Sequence, residues 1–182
     1  MSGGRQGELS PDEGVPRDDR AKGEAGEQGS GRKSVLFICT HNSARSQMAE
    51  GLLRALHGDR YEAFSAGTEP TRVHPLAIRV MAEVGVDISG QRSKSLEEFR
   101  GREFDWVVTV CDRAHQTCPF FPGGKIQLHR GFDDPAGAGG SEEERLAAFR
   151  RVRDELRDWI DSTFGKTPSG ERRRTRLPEF RI

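Results

Sequence analysis

A cysteine and an arginine, Cys39 and Arg45, enclose five small or polar residues in the stretch Cys-Thr-His-Asn-Ser-Ala-Arg. A thiol beside converging backbone N–H groups and an arginine is expected to have a pKa lowered from about 8.5 toward roughly 3.5–7.5, which makes it a nucleophile at neutral pH. A guanidinium can hold a tetrahedral oxyanion through two parallel hydrogen bonds. This spacing indicates nucleophilic attack on a bound oxyanion, although a structural cysteine beside a surface arginine would give the same pair.

The residues on either side of this stretch favour the catalytic interpretation. The apolar run Val-Leu-Phe-Ile at 35–38 predicts a strand at Ser34–Cys39 that is buried on both faces. A helical pattern then runs from about Ala44 to His57. A strand, a tight loop and a helix N-terminus together form an anion site, because the loop N–H groups and the helix dipole point to one place.

Two further cysteines, Cys111 and Cys118, follow a second apolar run, Trp106–Val110, which predicts another buried strand. Because sites in open α/β sheets lie beyond the carboxyl ends of the strands, we expect Cys111 on the same rim of the sheet as Cys39. A metal site that uses His115 is disfavoured, since zinc-binding cysteines are usually two to four residues apart and no second pair exists. The pattern predicts no metal site and leaves open whether the pair is redox-active or structural.

A third candidate is the turn Gly131-Phe-Asp-Asp-Pro-Ala136, in which Pro135 fixes the backbone after Asp134. A carboxyl group on such a turn can donate a proton to a leaving oxygen. Asp-Asp-Pro is also common in ordinary turns. Asp134 is therefore a candidate general acid that the spacing alone does not establish.

The remaining patterns predict the elements that position these residues. They are a strand at Tyr61–Ala66, a helix from Pro75 to about Val84, a short capped helix at Ser95–Glu98, a short strand at Lys125–Leu128 and an amphipathic helix at Glu142–Phe164. With the two buried strands, they predict an α/β domain whose four-stranded parallel sheet is flanked by helices.

Composition limits the domain and its partners. Only 33% of the 182 residues are hydrophobic, so we expect a disordered N-terminal extension at 1–33, one folded domain at 34–164 and a basic, disordered tail at 165–182. The 29 basic and 29 acidic residues balance, so no global charge favours nucleic acid or a membrane. The sequence shows neither a signal peptide nor an apolar run of membrane length. Its three cysteines are therefore predicted to be reactive thiols in a reducing cytoplasm.

The stretch Cys39-Thr-His-Asn-Ser-Ala-Arg45-Ser46-Gln-Met-Ala-Glu50 resembles the low-molecular-weight tyrosine phosphatases, and most closely their redox relatives, the thioredoxin-coupled arsenate reductases. The resemblance covers about 34–164 and implies the flavodoxin-like winding of that superfamily. It implies that Cys39 is the nucleophile, that Ser46 donates to its sulfur, and that Asp134 is the general acid while Asp133 is structural. The implied oxyanion-binding residues are Thr40, His41, Asn42, Ser43, Ala44 and Arg45, with Asn42 also bracing the loop.

In these reductases a Cys-x6-Cys segment after the same strand is the redox relay, which assigns that role to Cys111 and Cys118. The resemblance therefore implies the reduction of arsenate to arsenite in three thiol steps. Cys39 attacks arsenic, Cys111 attacks Cys39 as arsenite leaves, and Cys118 attacks Cys111, so that thioredoxin can reduce the resulting disulfide. The implied partners are arsenate, with phosphate or sulfate as analogues, and thioredoxin; we expect no tightly bound cofactor and a monomeric protein.

Two other functions use the same residues. A low-molecular-weight phosphatase would use Cys39, Arg45 and Asp134 identically to hydrolyse phosphate monoesters through a phosphoenzyme. Against it, the phosphatases usually place tyrosines where this chain has Ala136-Gly137, and they have no need for Cys118. A non-catalytic anion sensor is disfavoured by the complete set of cysteine, arginine and aspartate.

The sequence departs from the resemblance at one ligand position. Several of these reductases bind potassium beside the loop through an Asn, a Glu, a Ser and an Asp, and Asn42, Glu50 and Ser65 match the first three. The Asp position, which follows Ser93, holds Lys94. This puts the potassium site in doubt, and we predict that the Lys94 ammonium takes the place of the ion.

Overall fold

The computed structural model of the chain describes residues 31–118 and 120–166. The strands are β1 (Lys33–Cys39), β2 (Tyr61–Gly67), β3 (Phe104–Thr109) and β4 (Gly124–His129). The α-helices are α1 (Arg45–His57), α2 (Pro75–Ala82), α3 (Asp112–Thr117) and α4 (Glu142–Phe164), and short 3-10 turns lie at Leu96–Phe99 and Pro135–Gly137.

The four strands form one parallel sheet in the order β2-β1-β3-β4, which confirms the predicted architecture. Phe37 of β1 is in register with Ser65 of β2 on one side and with Val108 of β3 on the other. Residues 35–39 of β1 are buried, as expected of a central strand covered on both faces. Since all the strands run in one direction, their carboxyl ends share one rim, and Cys39 ends β1 there.

The long helix α4 packs against α1 and α2. Its inward stripe, buried throughout, consists of Leu146, Phe149, Val152, Leu156, Ile160 and Phe164. Each large apolar side chain of this kind contributes about 1.5–3 kcal/mol when fully buried. The ring of Phe164 lies edge-on to those of Phe37, Tyr61 and Trp106, so the end of α4 is fixed to the sheet.

Several element bounds differ from the predictions by one or two residues. β3 begins at Phe104 and ends at Thr109, rather than spanning Trp106–Val110, and α2 ends at Ala82 rather than Val84. Within the amphipathic helix α4, the apolar Trp159 is only partly buried, while the charged Arg153 is buried and donates to the Val80 carbonyl. Within the described part of the chain, no helix is both long and apolar enough to span a bilayer.

Apart from residues 31–33 and 165–166, the predicted disordered segments at 1–33 and 165–182 lie outside the described residues.

Candidate active site

Asn42 fixes the shape of the loop between β1 and α1. It is fully buried and has a left-handed backbone, with φ of 46°, a conformation that asparagine tolerates better than most residues. Its amide nitrogen donates to the hydroxyls of Ser46 (2.8 Å) and Ser65 (2.9 Å). Its amide oxygen accepts from the Gln47 side chain (2.8 Å) and the Lys94 backbone (2.7 Å). All four hydrogen-bonding positions of the amide are therefore used.

The end of β2 packs directly beneath this loop. A Cβ atom on Gly67 would lie 2.6 Å from the Thr40 carbonyl oxygen and 2.8 Å from the Asn42 nitrogen, so only glycine permits the approach. Among the described residues, the backbone N–H groups of His41, Ser43 and Ala44 have no hydrogen-bond partner. They remain as donors for an anion beside the N-terminus of α1.

Cys39 lies at the base of the loop with its thiol 3% exposed. Its sulfur accepts from the Asn42 backbone N–H (3.1 Å) and lies 2.8 Å from the Ser46 hydroxyl. Because a thiolate can only accept, the Ser46 hydroxyl donates to the sulfur when Cys39 is ionised. This arrangement has the polarity needed to support a thiolate.

The pKa of Cys39 is nevertheless raised overall, so the prediction that it is lowered is wrong. Burial raises the pKa of this thiol, and the neighbouring Cys111 adds to the increase. The hydrogen bonds from Ser46 and the charge of Arg45 lower the pKa, but they do not outweigh the loss of hydration. The sequence pattern indicated the arginine and the N–H groups, whereas it did not reveal how completely the sulfur is buried.

A chain of polar side chains continues from Ser46 to the opposite side of the loop. Ser65 accepts from Asn42 and donates to the Glu50 carboxylate. The Lys94 ammonium lies 3.3 Å from the same carboxylate oxygen and also donates to the Arg92 carbonyl at 3.0 Å. The contact between Lys94 and Glu50 agrees with the prediction for Lys94.

These contacts bear directly on the potassium ligand set that the resemblance implied. Glu50 already has two cationic partners, because Arg54 binds its other oxygen at 2.6 Å. An ammonium thus stands beside the carboxylate that a potassium ion would need, so the residues present do not fit that ion. No group of three or more His, Cys, Asp or Glu side chains placed to hold a metal occurs in the described part of the chain.

Arg45 and Asp134 face each other across the mouth of the site. One guanidinium nitrogen of Arg45 donates to the Phe132 carbonyl at 3.0 Å, and the other lies 3.4 Å from the Asp134 carboxylate. Asp134 caps the turn at Pro135–Gly137 by accepting from the Ala136 N–H at 3.2 Å. Asp133 also borders the site, but its carboxylate pairs with Arg151 of α4 at 3.2 Å.

The second cysteine lies on the same rim as the first, as the strand pattern predicted. The Cys111 sulfur is 3.5 Å from the Thr40 hydroxyl and accepts from the Ala114 N–H at 3.3 Å, so Cys111 caps the N-terminus of α3. Cys118 caps the opposite end of the same helix and is half-buried. Burial raises the pKa of the Cys118 thiol. All three thiols are free.

The mouth of the site is divided by the pair of Arg45 and Asp134. A cavity of about 570 Å³ lies on the side of Cys111 and Thr40, and a smaller one of about 150 Å³ lies on the side of Cys39. Both cavities are lined by Arg45 and Asp134, so the structure brings these residues together with the two cysteines. Cys118 lies outside both and lines a separate cavity of about 270 Å³.

Sequence reasoning missed three contributors to this site: the Gln47 side chain, the close approach of Gly67 and the Phe132 carbonyl. Gln47 is a buried polar residue in the first turn of α1, and its position directly after the loop was the available signal. No sequence signal marks the Phe132 carbonyl, because any residue there would supply the same group.

Comparisons with known proteins agree with this geometry. The family model of the low molecular weight phosphotyrosine protein phosphatases matches residues 34–166. An arsenate reductase of Halalkalibacterium halodurans is 46% identical over 136 residues, which are 75% of this chain and 97% of that protein. A solved arsenate reductase in the phosphate binding state is 36% identical with a TM-score of 0.62, covering 73% of this chain and 97% of its own.

A thioredoxin-dependent arsenate reductase of Corynebacterium glutamicum is 31% identical with a TM-score of 0.52, and the match covers 74% of this chain and 65% of that one. The region matched by the family model contains the loop at Cys39, both cysteines of α3 and the turn at Asp134. This chain therefore belongs to the low molecular weight phosphotyrosine protein phosphatase family.

Proposed function

We propose that this protein reduces arsenate to arsenite through Cys39, Cys111 and Cys118, with thioredoxin as the reductant. The observation that carries the proposal is the position of the three thiols. Cys39 and Cys111 line the two cavities that meet at Arg45 and Asp134, and Cys118 lies one short helix away from Cys111. The names of the related arsenate reductases support the choice of substrate.

In the first step the loop N–H groups and Arg45 hold arsenate at the N-terminus of α1. The Cys39 thiolate forms a bond to arsenic, and one arsenic–oxygen bond breaks. Asp134 gives its proton to the departing oxygen, which leaves as water. Ser46 is positioned to donate to the Cys39 sulfur and so offsets part of the cost of its burial.

In the second step the Cys111 thiolate attacks the Cys39 sulfur. A disulfide forms between them, the sulfur–arsenic bond breaks, and its electron pair reduces arsenic from the +5 to the +3 state, so that arsenite departs. Cys118 then attacks Cys111, which transfers the disulfide to Cys111 and Cys118 and frees Cys39 as a thiolate. An external dithiol completes the cycle, and a thioredoxin-dependent relative supports thioredoxin for that role. Such a reducing dithiol pool places the reaction in the cytoplasm.

The test is arsenate reduction coupled to thioredoxin, thioredoxin reductase and NADPH, compared between the natural protein and Cys118→Ser. We expect sustained NADPH consumption by the natural protein and a single equivalent of arsenite from the variant, which stops with Cys39 joined to Cys111. Normal multiple turnover by Cys118→Ser would exclude the three-thiol relay.

The same pair of proteins distinguishes phosphatase activity, the second candidate function. Hydrolysis of an aryl phosphate requires only Cys39, Arg45 and Asp134, so Cys118→Ser should hydrolyse it at the natural rate. If the natural protein hydrolyses aryl phosphates efficiently but does not reduce arsenate, the phosphatase alternative holds.

A further inference from the structure

Four side chains form a cluster that connects α3 to the ends of two strands. The His129 Nε2 atom lies 2.9 Å from the Asp112 carboxylate, and its Nδ1 atom lies 2.9 Å from the Thr109 hydroxyl. The ring of His115, in the middle of α3, stacks on the ring of His129 with centroids 4.1 Å apart and planes inclined by 17°. Because a carboxylate only accepts, Nε2 of His129 carries the hydrogen of the bond to Asp112.

The backbone after β4 leaves space for this contact. A Cβ atom on Gly131 would lie 2.5 Å from the Asp112 Oδ1 atom, the same atom that binds His129. Gly131 therefore lets the carboxylate sit against the imidazole. The cluster joins α3 to β4 through both the first turn and the middle of this helix.

Beyond this cluster, the polar attachments of α3 are few, and the ion pair of Arg113 with Glu69 is long, at 3.9 Å, and exposed. Among its six residues, Ala114 is the buried one, and alanine has a small side chain. Cys111 caps its first turn, and the Cys118 N–H donates to the Ala114 carbonyl at its end. The contacts of His129 are therefore a substantial part of what holds this helix against the sheet.

We propose that His129 and Asp112 form a latch that positions α3 and determines how readily Cys111 and Cys118 join. This inference rests on the proposed thiol relay. A helical segment of seven residues separates the two Cα atoms by roughly 10 Å, whereas a disulfide needs about 4.4–6.8 Å. The helix must unwind for the disulfide to form, and unwinding breaks the contacts of Asp112 and His115 with His129.

The latch therefore stabilises the dithiol form relative to the disulfide form. It slows the opening of α3, and it makes the Cys111–Cys118 disulfide easier for an incoming dithiol to reduce. His129 is a positioning residue in this scheme, because it acts on the cysteines through α3 and touches neither the substrate nor the reacting sulfurs.

The test uses His129→Ala, Asp112→Ala and the double variant, each compared with the natural protein. In the reduced state, amide exchange at 113–118 should become about three- to fivefold faster in either single variant, as expected for the loss of a hydrogen bond between side chains near the surface. A three- to fivefold change in equilibrium corresponds to about 15–20 mV for a two-electron couple. The midpoint potential of the Cys111–Cys118 couple should therefore become more negative by about that amount. The double variant should change neither quantity beyond the larger single effect, since both variants break the same contact.

A matched control is Asp161→Ala, which breaks the other aspartate–imidazole contact, 3.1 Å from His57, between α1 and α4. It should leave both the exchange of α3 and the potential unchanged. Unchanged exchange and potential in the His129 and Asp112 variants would overturn the latch. So would faster exchange spread equally over α1 and α4, which would indicate general destabilisation, or fully additive effects in the double variant.

Failure of the relay would be distinguishable from failure of the latch. If the natural protein forms no disulfide between Cys111 and Cys118, the proposed function is wrong. The exchange measurement on the reduced protein would still decide whether His129 and Asp112 hold α3.

Discussion

The ammonium of Lys94 lies 3.3 Å from the Glu50 carboxylate, and both side chains are nearly buried, at 12% and 7% exposed. Glu50 in turn accepts from Ser65, which accepts from Asn42 beneath the loop. A covalently attached positive charge thus ends a chain of hydrogen bonds that begins at Cys39. A fixed cation of this kind gives electrostatic support without an ion.

We therefore predict that the activity of the natural protein does not depend on potassium. Arsenate reduction in potassium chloride and in sodium chloride of equal ionic strength should agree within about twofold, since screening is matched. Initial rates in the two salts provide the measurement. A strong requirement for potassium would contradict the role assigned to Lys94.

Removal of this ammonium should also destabilise the fold. Lys94→Met leaves Glu50 with Arg54 as its cationic partner, and we expect a loss of about 1–3 kcal/mol in the free energy of unfolding, as for other charged hydrogen bonds. Urea denaturation measures the change. The control is Arg100→Met, which breaks a mostly exposed pair with Glu97 and should change stability by less than about 1 kcal/mol.

Ser46→Ala should raise the Cys39 pKa further, because the hydrogen bond from Ser46 lowers it. Burial already raises this pKa above that of an ordinary cysteine, so the thiolate forms at a higher pH than usual. In a background of Cys111→Ser and Cys118→Ser, the rate of alkylation by iodoacetamide should reach its midpoint at a higher pH in the variant. Ser34→Ala, at the opposite end of β1, should leave that midpoint unchanged.

The same raised pKa has a consequence for stability. The native state holds the Cys39 proton more tightly than the unfolded chain does, so this contribution is fully present below about pH 9. It declines as the pH rises toward the native pKa. Between neutral and strongly alkaline pH, the free energy of unfolding should therefore fall less in Cys39→Ser than in the natural protein. Denaturation at a series of pH values measures this difference.

Asp134→Asn should slow the first chemical step by about 10²–10⁴-fold, the usual contribution of a placed general acid. In a Cys118→Ser background, which retains the Cys39–Cys111 disulfide, the rate of disulfide formation after rapid mixing with one equivalent of arsenate reports on this step. Asp133→Asn is the matched control, because it makes the same substitution at the neighbouring aspartate, which pairs with Arg151 on α4. Equal rates for the natural protein and Asp134→Asn would remove Asp134 from the mechanism.

Oxidation should unwind α3 in the natural protein. Deuterium exchange followed by mass spectrometry should show faster exchange at 112–117 in the disulfide form than in the dithiol form, while α4 stays equally protected in both. Little burial is lost on opening, because Ala114 is the buried residue of this helix. Equal protection of α3 in both redox states, with the Cys111–Cys118 disulfide verified, would refute the opening.

The sheet could be predicted from the sequence because its central strands are continuous apolar runs. The buried segment at 35–38 has no charge that would allow another interpretation, and the thiol of Cys39 marks its carboxyl end. The long helix α4 was equally clear, since its apolar residues recur with helical period and Ser141 begins it with a capping box.

The side chains that support the site were harder to predict from the sequence, because they join segments that are distant along the chain. Asn42 takes its four partners from α1, β2 and the loop before Leu96, and no local pattern shows that these segments meet. The cluster around His129 likewise combines residues from β3, α3 and β4. The pKa of Cys39 was predicted in the wrong direction for the same reason, since burial is a property of the whole fold.

The four satisfied hydrogen bonds of Asn42 also determine where substrate selection takes place. A loop whose shape is already fixed by such hydrogen bonds loses little conformational entropy when an anion binds. The binding affinity then depends on the size and charge of the oxyanion. Phosphate and arsenate share a tetrahedral shape and charge, and such a loop holds both with similar strength. Under the proposed relay, a preference for arsenate would arise after binding, because a second thiol can break the bond from sulfur to arsenic with transfer of an electron pair. We therefore expect phosphate to act as a reversible competitor, with the choice between the two anions made by the rates of the later steps.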